Sequence, residues 1–203
     1  MEILFSNKDI AVVLKPVGLG SEQEVPAAII SALGGEVFPI HRLDKNVGGC
    51  MVYARSKKAA AALSRAVQEG QMQKEYVALV HGVPPEQGDW QDLLWKDSSK
   101  NKVFVVQRQR KGVKDARLEF TRLSCADPSL VRILLHTGRS HQIRVQFASR
   151  GYPLWGERKY STLDDPCEIA LFSQKIGFFH PKTGEWMEFR HEPPSAFPWD
   201  CFQ

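Results

Sequence analysis

The chain alternates short apolar runs with turns, and most of these runs have the length and composition of β-strands. In one of them, Val131, Ile133 and Leu135 would share one face of an extended backbone. The same pattern predicts strands over 9–15, 37–41, 50–54, 74–82, 103–107, 116–124, 130–136, 168–172, 176–179 and 186–190.

Residues 57–69 have the clearest helical pattern, because Ala59 and Leu63 recur at the spacing of one helical turn. Ser56 stands where an N-cap belongs, and Gly70 stands where helices commonly end in a left-handed residue. The segment is therefore predicted to be a capped helix.

Two shorter helices are predicted over 25–33 and over 141–150, the second with Ser140 as its N-cap. The segment 84–101 is polar and is predicted to be a loop. Runs of strands interrupted by few helices indicate an α+β fold with a mostly antiparallel sheet. Neither a repeat nor a linker interrupts residues 1–203, so we expect a single domain.

The composition, with 43% hydrophobic and 25% charged residues, is that of a soluble globular protein. No apolar run reaches the roughly 18–20 residues needed to cross a bilayer, and the N-terminus lacks the pattern of a signal peptide. We therefore expect a cytoplasmic protein without a membrane span. The four cysteines are scattered and form no C-x-x-C pair, so we expect neither a disulfide framework nor a zinc site.

The net charge is +4, and the basic residues are concentrated in two stretches. They are Arg108, Arg110, Lys111, Lys114 and Arg117 in the first, and Arg139, Arg144, Arg150, Arg158 and Lys159 in the second. Such clusters suit a polyanion such as a nucleic acid. A solvated surface without a partner is the alternative that charge alone leaves open.

The first candidate site is the sequence HRLD, with His41, Arg42 and Asp44. It follows a predicted strand and precedes a Gly-Gly pair, so it is expected on a loop at a strand end, where functional residues concentrate. Two alternatives stay open: a surface Arg–Asp pair contributing about 0–1 kcal/mol, and a metal site, for which no third ligand stands nearby.

The second candidate site is TGRSHQIR over 137–144, where a turn meets the predicted start of a helix. A helix N-terminus attracts anions, so Arg139, His141 and Arg144 are electrostatically misplaced there without an anionic partner. A well-capped helix is the structural alternative. The sequence contains no phosphate-binding glycine loop, so no nucleotide cofactor is expected.

Together, the segments ILFSNKDIAVVLKPVGLG, HRLDKNVGG, KEYVALVHG and TGRSHQIRVQFASRGYPLWGERKY resemble the ordered motifs of the HRLD-type RNA pseudouridine synthases. The likeness covers most of the chain, from about Leu4 to about Phe179. It implies a pseudouridine synthase fold, with a mixed, mostly antiparallel sheet flanked by helices and a central cleft. It also implies an isomerase that converts uridine in ribosomal RNA or transfer RNA without cofactor or metal.

The resemblance also assigns roles to single residues. Asp44 matches the catalytic aspartate, and Arg144 matches the arginine that pairs with it. Tyr76, which on its own is an ordinary strand aromatic, matches the ring that packs on the target uracil. Arg42 matches an arginine that acts on the RNA, and Leu171 lies where the family has an apolar residue lining the pocket.

RNA contacts are further expected from His41, Arg139 and His141, and from the basic surface, because the chain has no room for a separate N-terminal RNA-binding module. The protein is expected to be a monomer. The sequence departs from the usual family pattern at four places, which are Val47-Gly48-Gly49, Gln146, Glu157 and Phe172-Ser173. None of them replaces the aspartate, the tyrosine or the arginine.

Two other functions stay open on the sequence. One is a catalytically inactive homologue that binds RNA and acts in RNA folding or ribosome assembly. The other is a different carboxylate enzyme, such as a glycosidase, which would need a second acidic partner at a set distance. The sequence does not select that second carboxylate, for which the candidates would be Glu75, Asp115 and Glu157.

Overall fold

The computed structural model describes residues 1–202. In them the strands are β1 Glu2–Ser6, β2 Ile10–Lys15, β3 Phe38–Pro39, β4 Gly48–Ala54, β5 Gln73–Val80, β6 Gln87–Asp97, β7 Lys102–Val106, β8 Val113–Arg122, β9 Ser129–Leu135, β10 Leu171–Phe179 and β11 Trp186–Arg190. The helices are α1 Glu24–Leu33, α2 Lys57–Gln68 and α3 Gln142–Ala148, with a 3₁₀ turn at Trp199–Phe202.

The chain divides into two compact units. The first unit contains residues 1–75 and 172–193, and the second contains residues 76–171 and 194–202. The expectation that residues 1–203 act as one catalytic domain stays a prediction. Among the described residues, no helix is both long enough and apolar enough to span a membrane.

The first unit is built on a mixed sheet with the order β1-β2-β4-β10, to which β11 adds beside β10. β4 and β10 are parallel, and the other pairs are antiparallel. All seven residues of β4 are buried, which explains why this strand is apolar throughout instead of alternating. Its side chains join a core that also takes residues from β2, β10 and α2.

The helix α2 follows its local sequence signals. Its N-cap is Ser56, whose hydroxyl oxygen accepts the backbone N–H of Ala59 at 3.2 Å. Gly70 lies just beyond the helix with φ of +70°, the left-handed conformation that glycine adopts at low cost. Ala59 and Leu63 are buried in the core. The predicted helix and its N-cap are confirmed, and the helix ends at Gln68, one residue before the predicted end.

One edge of β4 changes its neighbour part-way along the strand. The residues Gly48 and Gly49 pair with β10, whereas Tyr53 and Ala54 pair with β3. The segment 40–47 connects β3 to β4 and is not part of the sheet. Between the two pairings, this edge of β4 has no strand beside it among the described residues. The loop that contains the HRLD sequence therefore starts at a gap in the pairing along this edge of β4, and loops held by a rigid sheet are where binding and catalytic residues concentrate.

The second unit contains strands in the order β5-β9-β8-β6-β7. The pairs β9–β8, β8–β6 and β6–β7 are antiparallel. Helix α3 packs on the β6–β7 side through Val145, which joins Leu94, Val103 and Ala116 in a small core cluster. A second contact is aromatic, with the Trp90 ring 4.6 Å from that of Phe147. These contacts hold α3 against the sheet.

The prediction of a loop over 84–101 is wrong, because Gln87–Asp97 forms the strand β6 and pairs with β8 along its length. Its residues alternate between exposed and partly buried positions, with exposed Asp89 and Gln91 on either side of Trp90. Because the residues on the exposed face are polar, the composition of this segment resembles that of a loop, and the strand was not predicted.

Three other predicted elements are corrected. The strand expected over 37–41 is limited to Phe38–Pro39, since proline lacks the N–H that would continue the pairing. In place of the strands expected over 168–172 and 176–179 there is one strand, β10 Leu171–Phe179, and residues 168–170 lie outside it. Ser140 is not the N-cap of α3, because that position is taken by His141, in a left-handed conformation without a capping side-chain bond.

Candidate active site

Lys15, the last residue of β2, is a buried cation beneath the loop that carries Asp44. It is 1% exposed. Its ammonium donates hydrogen bonds to the carbonyl oxygens of Pro16 at 2.9 Å, Lys45 at 3.1 Å and Val47 at 2.8 Å. All three donors of the ammonium are used, so Lys15 fixes the backbone that follows Asp44.

The charge of Lys15 interacts with that of Asp44. Burial lowers the pKa of Lys15 from 10.5 to about 8, and the negative charges of Asp44 and Glu24 oppose this shift. Asp44 itself is half-buried. The Asp44 carboxylate therefore has the positive charge of the buried Lys15 near it, within the first unit.

The backbone on both sides of Asp44 is held by further hydrogen bonds. Before it, the hydroxyl of the buried Ser21 donates to the carbonyl oxygen of Leu43 at 2.9 Å. After it, the N–H of Gly18 donates to the carbonyl oxygen of Lys45 at 2.9 Å. Preorganisation of this kind is what a catalytic carboxylate requires, since it removes the cost of ordering the loop during the reaction.

His41 is a structural acceptor at the start of the same loop. Its Nε2 accepts the backbone N–H of Val52 at 3.2 Å, at the place where β4 is between its partners β3 and β10. Burial, with a smaller effect from Lys74, lowers the pKa of His41 to about 3. The ring is therefore neutral, with its proton on Nδ1, which is buried and has no hydrogen-bond partner among the described residues. The predicted contact of His41 with RNA stays a prediction.

Arg42, in contrast, is exposed. Its Nη1 lies 3.5 Å from a carboxylate oxygen of Glu22, and both side chains are more than half exposed. A pair of this kind contributes about 0–1 kcal/mol, so the guanidinium can exchange Glu22 for another anion at little cost.

In the second unit, Arg144 of α3 is held by Glu157. Its Nε donates to Oε2 of Glu157 at 2.6 Å and its Nη2 donates to Oε1 at 2.8 Å. The Glu157 side chain is fully buried, and Oε1 also accepts the backbone N–H groups of Lys159 and Tyr160. Burial would raise the pKa of Glu157, but the hydrogen bonds and charge of Arg144 outweigh it and leave this pKa lowered.

Tyr160 joins Arg144 to its surroundings. The guanidinium carbon of Arg144 lies 5.6 Å from the centre of the Tyr160 ring. The hydroxyl of Tyr160 accepts the backbone N–H of Val103 at 2.9 Å and shares a hydrogen bond of 2.7 Å with Nδ1 of His141. His141 and Arg144 are therefore brought together through one phenol.

The turn before α3 is organised by Gln142, which is 3% exposed. Its Oε1 accepts the hydroxyl of Thr137 at 2.8 Å and the N–H of Arg139 at 3.0 Å, and its Nε2 donates to the carbonyl oxygen of Arg117 at 3.1 Å. Arg139 donates through Nε to the carbonyl oxygen of Asp115 at 2.7 Å. The sequence predicts an anionic partner near this turn. For Arg144, that partner is the carboxylate of Glu157.

Tyr76 and Leu171 are also placed in the second unit, and both are buried, at 6% and 7% exposure. Tyr76 lies in β5, and Leu171 is the first residue of β10. The pairing of Arg144 with Asp44, and the roles given to Tyr76 and Leu171, stay predictions.

Three residues that organise these sites were not predicted, namely Lys15, Gln142 and Tyr160. Lys15 ends the apolar run IAVVLK, and Gln142 lies at the predicted start of a helix; both positions suit exposed polar residues equally well, so the sequence alone does not indicate their burial. In the described part of the chain, no three His, Cys, Asp or Glu side chains cluster in a way that could hold a metal. The prediction that the protein needs no metal or cofactor stays a prediction.

Comparisons with known proteins identify the family. The family described as RNA pseudouridylate synthase matches residues 9–149. The chain is 34% identical to an uncharacterized RNA pseudouridine synthase of Aquifex aeolicus, over 97% of this chain and 71% of the relative. It is 30% identical to the ribosomal large subunit pseudouridine synthase D of Zymomonas mobilis, over 96% of this chain and 69% of the relative.

Among solved structures, human RNA pseudouridylate synthase domain containing 1 superposes with a TM-score of 0.82 at 22% identity, covering 96% of this chain and 84% of that one. This likeness supports the fold. The chain belongs to the RNA pseudouridylate synthase family, whose members are isomerases that convert uridine in RNA to pseudouridine. The family and the α+β fold with a mixed, mostly antiparallel sheet are thereby confirmed.

Proposed function

We propose that this protein isomerises uridine in ribosomal RNA or transfer RNA, with Asp44 as its catalytic carboxylate. The observation that carries the proposal is the loop around Asp44, fixed on both sides by hydrogen bonds and supplied with a positive charge by Lys15. The name of the Zymomonas mobilis relative supports ribosomal RNA as the substrate class.

The reaction breaks the N1–C1′ bond of the nucleoside, turns the uracil, and joins its C5 to C1′. The C5 hydrogen leaves as a proton and N1 gains one, so atoms and electrons balance within the nucleoside and water. The uridine must leave its base stack, at a cost of a few kcal/mol. Ionised Asp44 would act as a nucleophile at the sugar or base, or as a base at the sugar.

The other residues are assigned to supporting roles. Arg144, oriented by Glu157 and Tyr160, would pair with Asp44. Tyr76 would pack on the uracil, and Leu171 would line the pocket beside it.

The RNA itself would be contacted by exposed Arg42, by Arg139 and by His141. We also propose that the protein acts as a monomer in the cytoplasm. Light scattering of the purified protein tests the monomeric state, and fractionation of cells tests the location.

The proposal is tested by tritium release from RNA whose uridines are tritiated at C5, since only catalysis frees that hydrogen. The substrates are unmodified transcripts of ribosomal and transfer RNAs. We expect release with the wild type and background release with Asp44→Asn, which keeps the size of the side chain and removes its charge. Asp164→Asn is the matched control, because Asp164 is exposed and outside the site.

The results separate the proposal from the alternatives. Full activity of a folded Asp44→Asn protein would overturn the assignment of Asp44. A wild type that binds these RNAs and releases no tritium from any of them would support an inactive RNA-binding homologue instead. Circular dichroism of each variant shows whether a loss of activity reflects unfolding.

A further inference from the structure

The positive charge of the protein is concentrated in residues 95–114, which we call the basic arm. It comprises the end of β6, all of β7 and the start of β8. It contains seven of the 27 Lys and Arg residues and one of the 23 Asp and Glu residues. The arm thus has a formal charge of +6, whereas the whole chain has +4, so the rest of the chain carries a slight negative excess.

The cations of the basic arm differ from many others in how they are paired. Elsewhere, Arg117, Arg150, Lys175 and Arg190 each form an ion pair with a carboxylate. In the part of the chain that the structure describes, no such pair is formed by Lys96, Lys100, Lys102, Arg108, Arg110, Lys111 or Lys114. The carboxylate of Asp97, the single anion of the arm, accepts hydrogen bonds from Ser99 within its own turn. The arm therefore keeps a net positive charge that no ion pair among residues 1–202 offsets.

The basic arm also presents aromatic rings. Trp95 and Phe104 lie opposite each other on β6 and β7, so they share one face of the sheet, and their rings are 6.1 Å apart. The guanidinium carbon of Arg110 lies 4.8 Å from the centre of the Trp95 ring, and Lys102 Nζ lies 5.9 Å from that of Phe104. Both rings are half-buried. Aromatic rings interleaved with cations suit single-stranded RNA, because bases stack on rings and on guanidinium planes.

The basic arm is connected to the candidate site in the same unit. The N–H of Val103, in the middle of the arm, donates to the hydroxyl of Tyr160, which is hydrogen-bonded to His141. The ring of Tyr160 also contacts Arg144. The strand β7 of the arm is therefore attached, through Tyr160, to the helix that carries Arg144.

We propose that the basic arm binds an unpaired segment of the substrate RNA beside the target uridine. Its cations hold the backbone phosphates, and Trp95, with Arg110 on its face, stacks an unpaired base. This inference rests on the proposed function, since it takes RNA to be the substrate. Charge complementarity favours a polyanion, and the rings favour one with exposed bases.

The charge is tested with a variant in which Arg108, Arg110, Lys111 and Lys114 are all replaced by Gln. The control replaces the same number of exposed cations in the first unit by Gln, at Lys8, Lys57, Lys58 and Lys182. The probe is a labelled RNA stem–loop with uridines in its loop, and its Kd is measured by fluorescence anisotropy over a range of salt concentrations. Because each lost phosphate contact lowers the salt slope by about 0.7–0.9, we expect the slope of log K to fall by about 3 in the arm variant. The control is expected to keep the wild-type slope.

The stacking is tested separately with Trp95→Leu, compared with Trp186→Leu in the first unit as a matched loss of a partly exposed tryptophan. We expect Trp95→Leu to bind the stem–loop about tenfold more weakly, with an unchanged salt slope, because stacking is not ionic. Arg110→Lys, which keeps the charge and removes the guanidinium plane on the Trp95 ring, provides a second measure if Trp95→Leu does not fold.

All binding measurements are made in the Asp44→Asn background, so that they do not depend on turnover. An arm variant with the wild-type Kd and salt slope would overturn the proposal for the arm, whatever the tritium assay shows. If the arm variants lose binding and the wild type releases no tritium, the proposed catalytic function fails and the arm remains an RNA-binding surface. In the active background, the expected loss appears as an increase in KM for the RNA.

Discussion

Glu157 accepts two hydrogen bonds from the guanidinium of Arg144, at 2.6 Å and 2.8 Å, with its own side chain fully buried. Two parallel bonds fix the plane of the guanidinium as well as its position. The ring of Tyr160 restrains a face of the same group. An arginine held in this way is preorganised, which is the property needed if it orients the catalytic carboxylate.

Replacing Glu157 by Gln is expected to weaken both stability and catalysis. The amide keeps the shape of the side chain but offers one acceptor and directs an N–H at the guanidinium. Because Arg144 then loses its counter-charge in a largely buried place, we expect a loss of about 3 kcal/mol in the free energy of unfolding. A looser arginine is expected to lower kcat by about tenfold or more.

The measurements for Glu157→Gln are urea denaturation and tritium release. Glu188→Gln is the control, because its ion pair with Lys175 is at the surface and should be worth less than about 1 kcal/mol. Equal effects of the two substitutions on stability would contradict the special role given to the buried pair.

The rate is expected to fall as the pH rises above about 8, because Lys15 then loses its proton. A neutral amine has two donors for three carbonyl oxygens and no longer places a positive charge near Asp44. The effect on stability has the opposite sign. The folded-state pKa is below the ordinary value of 10.5, so between these pH values the unfolded chain binds more protons and this group favours folding as pH rises.

The pH profile of kcat is measured for the wild type and for Lys15→Met. The variant has no titrating group at this position, so its profile, although lower, should not decrease at pH 8. A decrease of the same size and midpoint in both proteins would assign it to another group. Lys45→Gln, at an exposed neighbouring position, should keep the wild-type profile.

The sequence predicted those elements whose signals are local. Helix α2 could be located because Ser56 caps it and Gly70 ends it, and both act on their immediate neighbours. Strand β4 could be located because it is apolar on both faces. The residues Asp44 and Arg144 were found through the family motifs, and the structure gives them supporting contacts within their own units.

Contacts between distant residues could not be predicted in the same way. Lys15 bonds to the carbonyl oxygen of Val47, 32 residues later, and its position at the end of an apolar run fits a surface lysine equally well. Glu157 was noticed as a departure from the family pattern, but its pairing with Arg144 depends on how the chain after α3 folds back. Strand β6 is stabilised by its pairing with β8 and β7. The composition of β6 alone does not indicate a strand.

Stability is expected to decrease as the pH falls below about 6.5, partly because His41 cannot take up a proton in the folded state. Its pKa is lowered to about 3 by burial, whereas the unfolded chain binds a proton near 6.5. The unfolded state therefore binds more protons between these values, at a cost of at most about 1.4 kcal/mol per pH unit. His41→Gln keeps an acceptor for the N–H of Val52 and removes the titration.

The free energy of unfolding of the wild type and of His41→Gln is compared between pH 7 and pH 5, above the range in which most carboxylates titrate. The slope against pH should be smaller in the variant. Parallel curves would show that His41 is protonated in the folded state and would remove the argument that it is a neutral acceptor.

Gly49→Ala is expected to be far more damaging than Gly70→Ala, although both glycines have positive φ. A Cβ on Gly49, where φ is +124°, would overlap the backbone of Ser173 in the neighbouring strand β10, and backbone cannot move aside without breaking the pairing. A Cβ on Gly70 meets nothing within 4 Å, so the cost there is that of the left-handed conformation, about 1–2 kcal/mol. In urea denaturation, the loss of unfolding free energy should be several-fold larger for Gly49→Ala than for Gly70→Ala. Gly49→Ala should also lose activity, because β4 anchors the loop of Asp44. Similar stabilities of the two variants would mean that β4 and β10 approach less closely than the structure indicates.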